Sequence, residues 1–274
     1  MSLNEKTVVI TTPAWLHGDG VGHDIEGMAT SLLNAGWNVH VYSPYHYASP
    51  YESWRMDFDT ARKLLQSPET VLIHHHSIGC AETESLLQEA QARVRIMRYH
   101  NVTPPEFFEG YNDEWVKNCR NGRLATMNVA RYCTHFSVPS LYDGRDIVHA
   151  GVPAEKIAYL PYFHKLSDFD QTLPDQTVLK RLEEDKRFHV LFLGRRVNNK
   201  GHLHLIRTVA TYVREYDKDI VLHMVGASDP SLAKYDDEIQ AEIKKLGVEK
   251  NVVLYDKVSF AGIEAFYKGC DLFL

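Results

Sequence analysis

The sequence predicts an α/β protein built of two Rossmann-like, doubly wound domains. Three observations carry that expectation. Strand-like and helix-like segments alternate along most of the chain, which is the rhythm of a parallel sheet with helices on both faces. The strand-like segments are short apolar runs, such as Phe188 to Leu193, broken only by His189; such runs suit strands covered on both sides. The alternation stops between Pro161 and Pro174 and then restarts. The domain junction is placed in that break, giving an N-terminal domain over 1–165 and a C-terminal domain over 166–274.

In the first half the apolar runs predict strands at 7–12, 38–43, 70–75, 94–99, 134–138 and 156–160. Helices are expected near 22–35, 58–66, 81–91, 113–132 and 141–150. The first helix is marked by the stripe Ile25, Met28, Ala29, Leu32 and Leu33, with Gly36 as its stop. In the second half, strand 188–194 leads to helix 202–216, whose face carries Leu205, Ile206, Val209, Tyr212 and Val213. Strand 219–226 leads to helix 231–246, with Leu232, Tyr235, Ile239, Ile243 and Leu246 inside and Gly247 at its end. Strand 251–255 leads to helix 260–268. Asp271 to Leu274 reads as a fourth strand cut in mid-element, so the sequence is expected to stop short of a complete domain.

With 274 residues, the chain is long enough for two cores. Its 44% hydrophobic and 24% charged content is that of an ordinary globular protein. The net charge of -6 argues against general nucleic-acid binding. No apolar run approaches the ~20 residues of a membrane span. Cys80, Cys119, Cys133 and Cys270 form no CxxC pair, and read as reduced thiols of a cytoplasmic protein.

The most informative motif is Gly194-Arg195-Arg196-Val197-Asn198-Asn199-Lys200-Gly201. It joins the carboxyl end of a strand to the start of a helix, where open α/β sheets bind ligands. Arg195 and Lys200 above a helix amino terminus suit a diphosphate; Arg196 is expected to face elsewhere, on the surface. The loop Gly18-Asp19-Gly20-Val21-Gly22 opens the first helix. A dinucleotide fingerprint would want glycine at position 23, which is His23, and an acid near Tyr42 and Ser43. A nicotinamide enzyme therefore fits poorly, which leaves either a tight turn or a loop bordering a cleft.

Histidines gather at strand ends. His74, His75 and His76 end the third strand and His100 the fourth. Neighbours along a strand point to opposite faces, so His75 cannot share a site with both others. With no acid or cysteine at ligand spacing, no metal site is expected, and the three read as satisfied surface or cleft histidines. His100 stands evenly between packing and contact with a sugar or phosphate. Pro104 to Phe108 forms a stiff loop whose exposed Phe107 and Phe108 either stack on an acceptor or pack between loops. Lys117, Arg120, Arg123 and Arg131 lie on the helix near 113–132, where Leu124 interrupts the stripe. A solvated face is the plain reading; peripheral contact with a membrane or an anionic acceptor is the other. An unfinished sheet edge also leaves a homo-oligomer open.

These residues together resemble the family-4 glycosyltransferases of GT-B architecture, in which two Rossmann-like domains face each other across the active site. The resemblance runs through Gly20 to Asp24, His75 with Ser77 to Gly79, Arg98 to Phe108, Gly194-Arg195, Lys200-Gly201, Val225-Gly226 and Val258. It implies transfer of a sugar from a UDP- or GDP-sugar, with retention, to an acceptor the sequence does not identify. Arg195 and Lys200 would hold the diphosphate, and no catalytic metal or other cofactor is implied. His100 would contact the donor sugar or the β-phosphate side. Gly20, Gly22, Gly194, Gly226 and Val258 would border the donor, and His75 and Asn101 would lie on the acceptor side. The family's paired glutamates would fall beyond Leu274; Glu242 and Glu264 do not match them. A chain ending there is expected to have little or no activity. The competing readings are a non-catalytic nucleotide-sugar binding module completed by another chain, and a sugar-nucleotide epimerase or phosphorylase of the same architecture.

Overall fold

The computed structural model describes residues 6–16, 19–46, 51–164 and 171–274. Gly18 of the glycine-rich turn and the predicted junction at 165/166 lie outside them. The chain divides into two compact units, residues 1–105 with 114–165 and residues 106–113 with 166–274.

The first unit holds a six-stranded, wholly parallel sheet in the order β3-β1-β5-β6-β7-β8. Its strands are β1 (Thr7–Thr11), β3 (Asn38–Tyr42), β5 (Val71–His76), β6 (Val94–Tyr99), β7 (His135–Val138) and β8 (Ile157–Tyr159). Two further short strands, β2 (Ala14–Trp15) and β4 (Tyr45–His46), pair with each other in parallel. The helices are α1 (Gly20–Asn34), α2 (Phe58–Leu64), α3 (Ala81–Glu89), α4 (Asp113–Ala130) and α5 (Leu141–His149). Each β1 residue chooses a face by its parity. Val9 packs with Leu72, Met97 and Phe136 in one core, while Val8 and Ile10 pack with Ile25, Met28 and Ile73 of α1 and β5 in the other. The sheet is thus covered on both sides, which is why its strands read as apolar runs. Asp19 caps α1 by accepting from Gly22 N–H at 2.6 Å, and Gly36 after it takes a φ of 80°.

The second unit carries a four-stranded parallel sheet in the order β11-β10-β9-β12. Its strands are β9 (Phe188–Leu193), β10 (Ile220–Val225), β11 (Val252–Tyr255) and β12 (Leu272–Phe273). Its helices are α6 (Gln176–Glu184), α7 (His202–Glu215), α8 (Ala233–Leu246) and α9 (Phe260–Gly269). Sequence periodicity missed α6. Asp175 caps it at two backbone N–H groups, and Leu182 is buried with Leu191, Val225 and Phe266. A Cβ on Gly269 would come within 2.7 Å of the Leu182 side chain, so α6 and α9 need a small residue where they touch. Gly247 ends α8 in the left-handed region, at a φ of 67°.

Residues 106–113 belong to this unit. The Tyr111 hydroxyl donates to Glu238 at 2.6 Å, Asn112 donates to the Ser231 carbonyl at 3.1 Å, and Lys234 donates to the Gly110 carbonyl at 2.8 Å. Of the phenylalanine pair expected to be exposed, Phe107 is exposed but Phe108 is buried. On α4 of the first unit, Leu124 and Met127 are exposed beside Lys117 and Arg120. Among the described residues, no helix is long and apolar enough to cross a membrane.

Candidate functional site

Chemistry-bearing side chains collect at the carboxyl ends of the parallel strands in both units, where strand-to-helix loops leave backbone groups free for ligands.

In the second unit, β9 runs into the loop Gly194–Gly201. The backbone of this loop continues the sheet for two more steps: Gly194 N–H donates to Val225 and Arg196 N–H to Ala227, each at 2.9 Å. Residues alternate about that extension, so Arg195 and Arg196 point opposite ways. Arg195 is exposed, and so is Lys200. Neither side chain makes an ion pair among the described residues, so both charges remain available. Arg196 corrects the expectation of a surface residue. It is buried, and all three nitrogens of its guanidinium are engaged, by Asp236, Asp256 and two backbone carbonyls.

After the 3-10 turn Asn198–Lys200, Gly201 adopts a φ of 76° and starts α7. That angle favours glycine, because a Cβ would crowd the backbone. No side chain caps α7, unlike α1, α2, α5, α6 and α9. Beneath the loop lies His202, fully buried against Phe192 and Tyr235. Burial lowers its pKa to about 4; the nearby carbonyls of Gly194 and Val197 oppose the shift, although neither makes a well-formed hydrogen bond to the ring. Both His202 ring nitrogens and the buried Oδ1 of Asn198 lack partners.

The donor-side glycines divide into two kinds. A Cβ on Gly20 would meet nothing within 4 Å, so the first turn of α1 is open there. A Cβ on Gly22 would sit 2.0 Å from the Leu16 carbonyl oxygen, and one on Gly226 would sit 2.0 Å from that of Gly194. At both of these glycines, which the sequence reading places beside the donor, another loop's backbone passes too close for a side chain. A Cβ on Gly194 would meet the Phe192 ring at 3.2 Å. Val258 is half-buried against the Leu191–Val225–Phe266 core.

In the first unit, β5 and β6 end in a buried network on the α1 face. Arg98 forms a two-pronged bond with Asp24, Nε to Oδ2 at 2.8 Å and Nη2 to Oδ1 at 3.0 Å. It also donates to Ser137 and to the carbonyls of Leu160 and Pro161. His75 Nδ1 and His100 Nε2 are 2.8 Å apart, and lie 3.9 and 3.6 Å from Asp24 Oδ2. Tyr162 closes the cluster by stacking on His100 and under the Arg98 cation.

Strand alternation separates the histidines as expected, but all three are fully buried rather than surface groups. His74 bonds Thr11 and His76 bonds Thr126 on the opposite face from His75. Burial lowers His74 to about 3 and His76 to about 4, so both are neutral. His75, expected on the acceptor side, has no surface with which to touch one. The fold nevertheless brings an acid from distant sequence, Asp24 on α1, close to His75. Asp24, His75 and His100 each bring one ligand atom within 4.8 Å of the others. Arg98 holds both carboxylate oxygens, however, and puts a positive charge where a cation would enter; the set is better explained as a hydrogen-bonded assembly. Burial lowers His100 to about 4, with Asp24 opposing. The chain turns sharply after His100, since Asn101, at a φ of 53°, is the one non-glycine residue with positive φ among those described. Asx side chains tolerate that region best. Backbone strain of this kind collects at functional sites.

Comparison with known proteins agrees with this layout. Residues 176–274 match the family model of glycosyl transferases group 1. Solved structures match nearly the whole chain. HepE of Anabaena, in complex with UDP and glucose, is 16% identical over 98% of this chain and 73% of its own, with a TM-score of 0.64. Sucrose-phosphate synthase of Thermosynechococcus elongatus is 12% identical over 98% of this chain and 75% of its own, with a TM-score of 0.67. A glycosyltransferase from Rickettsia africae is 16% identical over 98% and 72%, with a TM-score of 0.65. No curated protein matches the chain by sequence. The parallel α/β fold is therefore that of the GT-B glycosyltransferases.

Proposed function

We propose that this chain is a retaining glycosyltransferase that takes a sugar from a nucleotide diphosphate sugar, with Arg195 and Lys200 as the counter-charge for the diphosphate. The observation that carries the reading is the loop after β9. It offers two exposed, unpaired cations above an uncapped helix terminus, at the ligand-binding edge of a parallel sheet, within the segment that matches glycosyl transferases group 1. Breaking a glycosyl–phosphate bond builds negative charge on the leaving diphosphate. Cations and N–H groups already fixed at that position lower the barrier without reorganising. They also supply the role a divalent ion would otherwise fill, so no catalytic metal is required. HepE binds UDP, which favours a UDP-sugar as the donor.

His100 is proposed to meet the donor sugar through the little of its ring that is not packed. It would act as a neutral hydrogen-bonding group, since its lowered pKa keeps it uncharged at neutral pH. The open first turn of α1 at Gly20 would border the donor.

Isothermal titration tests the reading. UDP binds the wild type in the presence of EDTA, and Arg195→Ala and Lys200→Ala each weaken it by at least about tenfold, a loss of about 1.4 kcal/mol. Unchanged affinity in both variants rejects the clamp. Where turnover is measurable, the product keeps the donor's anomeric configuration by NMR; inversion rejects retention.

A further inference from the structure

The buried neighbour of the proposed clamp, Arg196, supports an inference that rests on that reading and extends it. The Arg196 side chain is only 9% exposed. Its Nε donates to Asp236 Oδ1 at 3.0 Å, Nη1 to the carbonyls of Gly226 and Tyr255 at 2.9 Å each, and Nη2 to Asp256 Oδ1 at 2.5 Å. These acceptors come from the ends of β10 and β11 and from the first turn of α8. One planar group therefore ties together the three strand-end loops around the clamp. A lysine, a single point charge on a flexible stem, cannot make these bonds at once.

The electrostatic consequence is as direct as the geometric one. Asp236 and Asp256 stand beside a loop proposed to receive a doubly charged anion. Three cations (Arg195, Arg196, Lys200) against two carboxylates (Asp236, Asp256) leave a formal local charge of +1; without Arg196 it is 0. We infer that Arg196 is a positioning residue for the diphosphate site, which locks the loops after β9, β10 and β11 and neutralises the two carboxylates that would otherwise repel the ligand.

Two backgrounds test this, with UDP titrated at low and high salt and thermal melts run alongside. In the first, Arg196→Met weakens UDP on the order of tenfold at low salt and less at high salt, where exposed charges are screened. Adding Asp236→Asn and Asp256→Asn to that variant recovers the charge-dependent part of the affinity without restoring the melting temperature. A merely structural arginine would give the reverse pattern. In the second, Asp256→Asn alone keeps an acceptor for Arg196 on a side chain that is 79% exposed, so the fold is not at risk. It tightens UDP binding at low salt by a few-fold. Wild-type affinity in a folded Arg196→Met, failure of the neutralised variant to recover, or no effect of Asp256→Asn overturns the inference. Arg195→Ala run in parallel separates it from the parent reading. If Arg195→Ala abolishes binding while the Arg196 series does nothing, only this inference fails; if Arg195→Ala does nothing, the clamp itself fails.

Discussion

Asp24 occupies a position on α1 where a helix packed on a sheet would ordinarily carry an apolar side chain. It shares the stripe of Met28, four residues on, yet is fully buried. A buried carboxylate persists only when it is paired and its remaining lone pairs are satisfied. Arg98 meets that condition with two bonds, and the Phe163 N–H adds a third at 3.1 Å. An acid on an otherwise apolar helix stripe was the one sequence signal that could have exposed this network. Its partner stands 74 residues away, so only the fold could identify it. The pair makes a sharp prediction. Asp24→Ala leaves a guanidinium buried without its counter-ion, so urea unfolding should show a loss of about 3–5 kcal/mol. Asp24→Asn, which keeps acceptors for Arg98, should lose less. Equal small losses in both would mean that the pair is not coupled as the geometry indicates.

At the scale of elements, the loop after β9 works because β9 and β10 approach each other closely beyond the sheet. Gly226 stands there with the Gly194 carbonyl where its own Cβ would be, at 2.0 Å. Gly226→Ala must therefore push the β10 loop away from Gly194 and displace Arg195, which follows it. The expected result is a stability loss of ~2 kcal/mol or more, typical of overpacking, accompanied by weaker UDP binding. Gly20→Ala, where a Cβ meets open space, should leave the fold intact. A Gly226→Ala protein with wild-type melting temperature and affinity would show that the crossing tolerates a side chain. Sequence could place both glycines in ligand-facing loops but could not separate these roles. A glycine kept for close packing and one kept for an open approach look the same until the neighbouring strand is in place. Arg195 and Arg196 were obscured in the same way, since adjacent cations in a loop acquire opposite directions only when the loop pairs with Ala227 and Ser228.

Across the whole chain, the parallel sheets were legible because a strand covered on both faces is mostly apolar, as in Val8–Ile10 of β1, Val71–Ile73 of β5, Val190–Leu193 of β9 and Ile220–Leu222 of β10. The helix α6 was not legible, because its stripe of Val178 and Leu182 becomes apolar packing only once α9, β9 and β10 are assembled beside it. The histidines were misread because a titratable side chain is assumed to want water. Burial instead holds His74 at about 3, and His76, His100, His202 and His223 at about 4, against an ordinary value of 6.5. Both units thus share one acid sensitivity. The unfolded chain takes up protons on these rings between pH 6.5 and about 4, whereas the folded chain refuses them. More protons on the unfolded state mean that stability rises with pH across this window, is complete above 6.5, and is lost on acidification. Each fully buried ring in the first unit contributes up to about 1.4 kcal/mol per pH unit. Melting temperature should therefore fall steeply between pH 6.5 and 4.5 and stay level between 7 and 8. His76→Gln, which can still bond Thr126, should flatten the acid slope by about one proton's worth, even if it costs some stability at neutral pH. A melting temperature that stays constant down to pH 4.5, or a His76→Gln slope equal to the wild type, would mean that these rings take up protons in the folded protein as readily as in the unfolded chain.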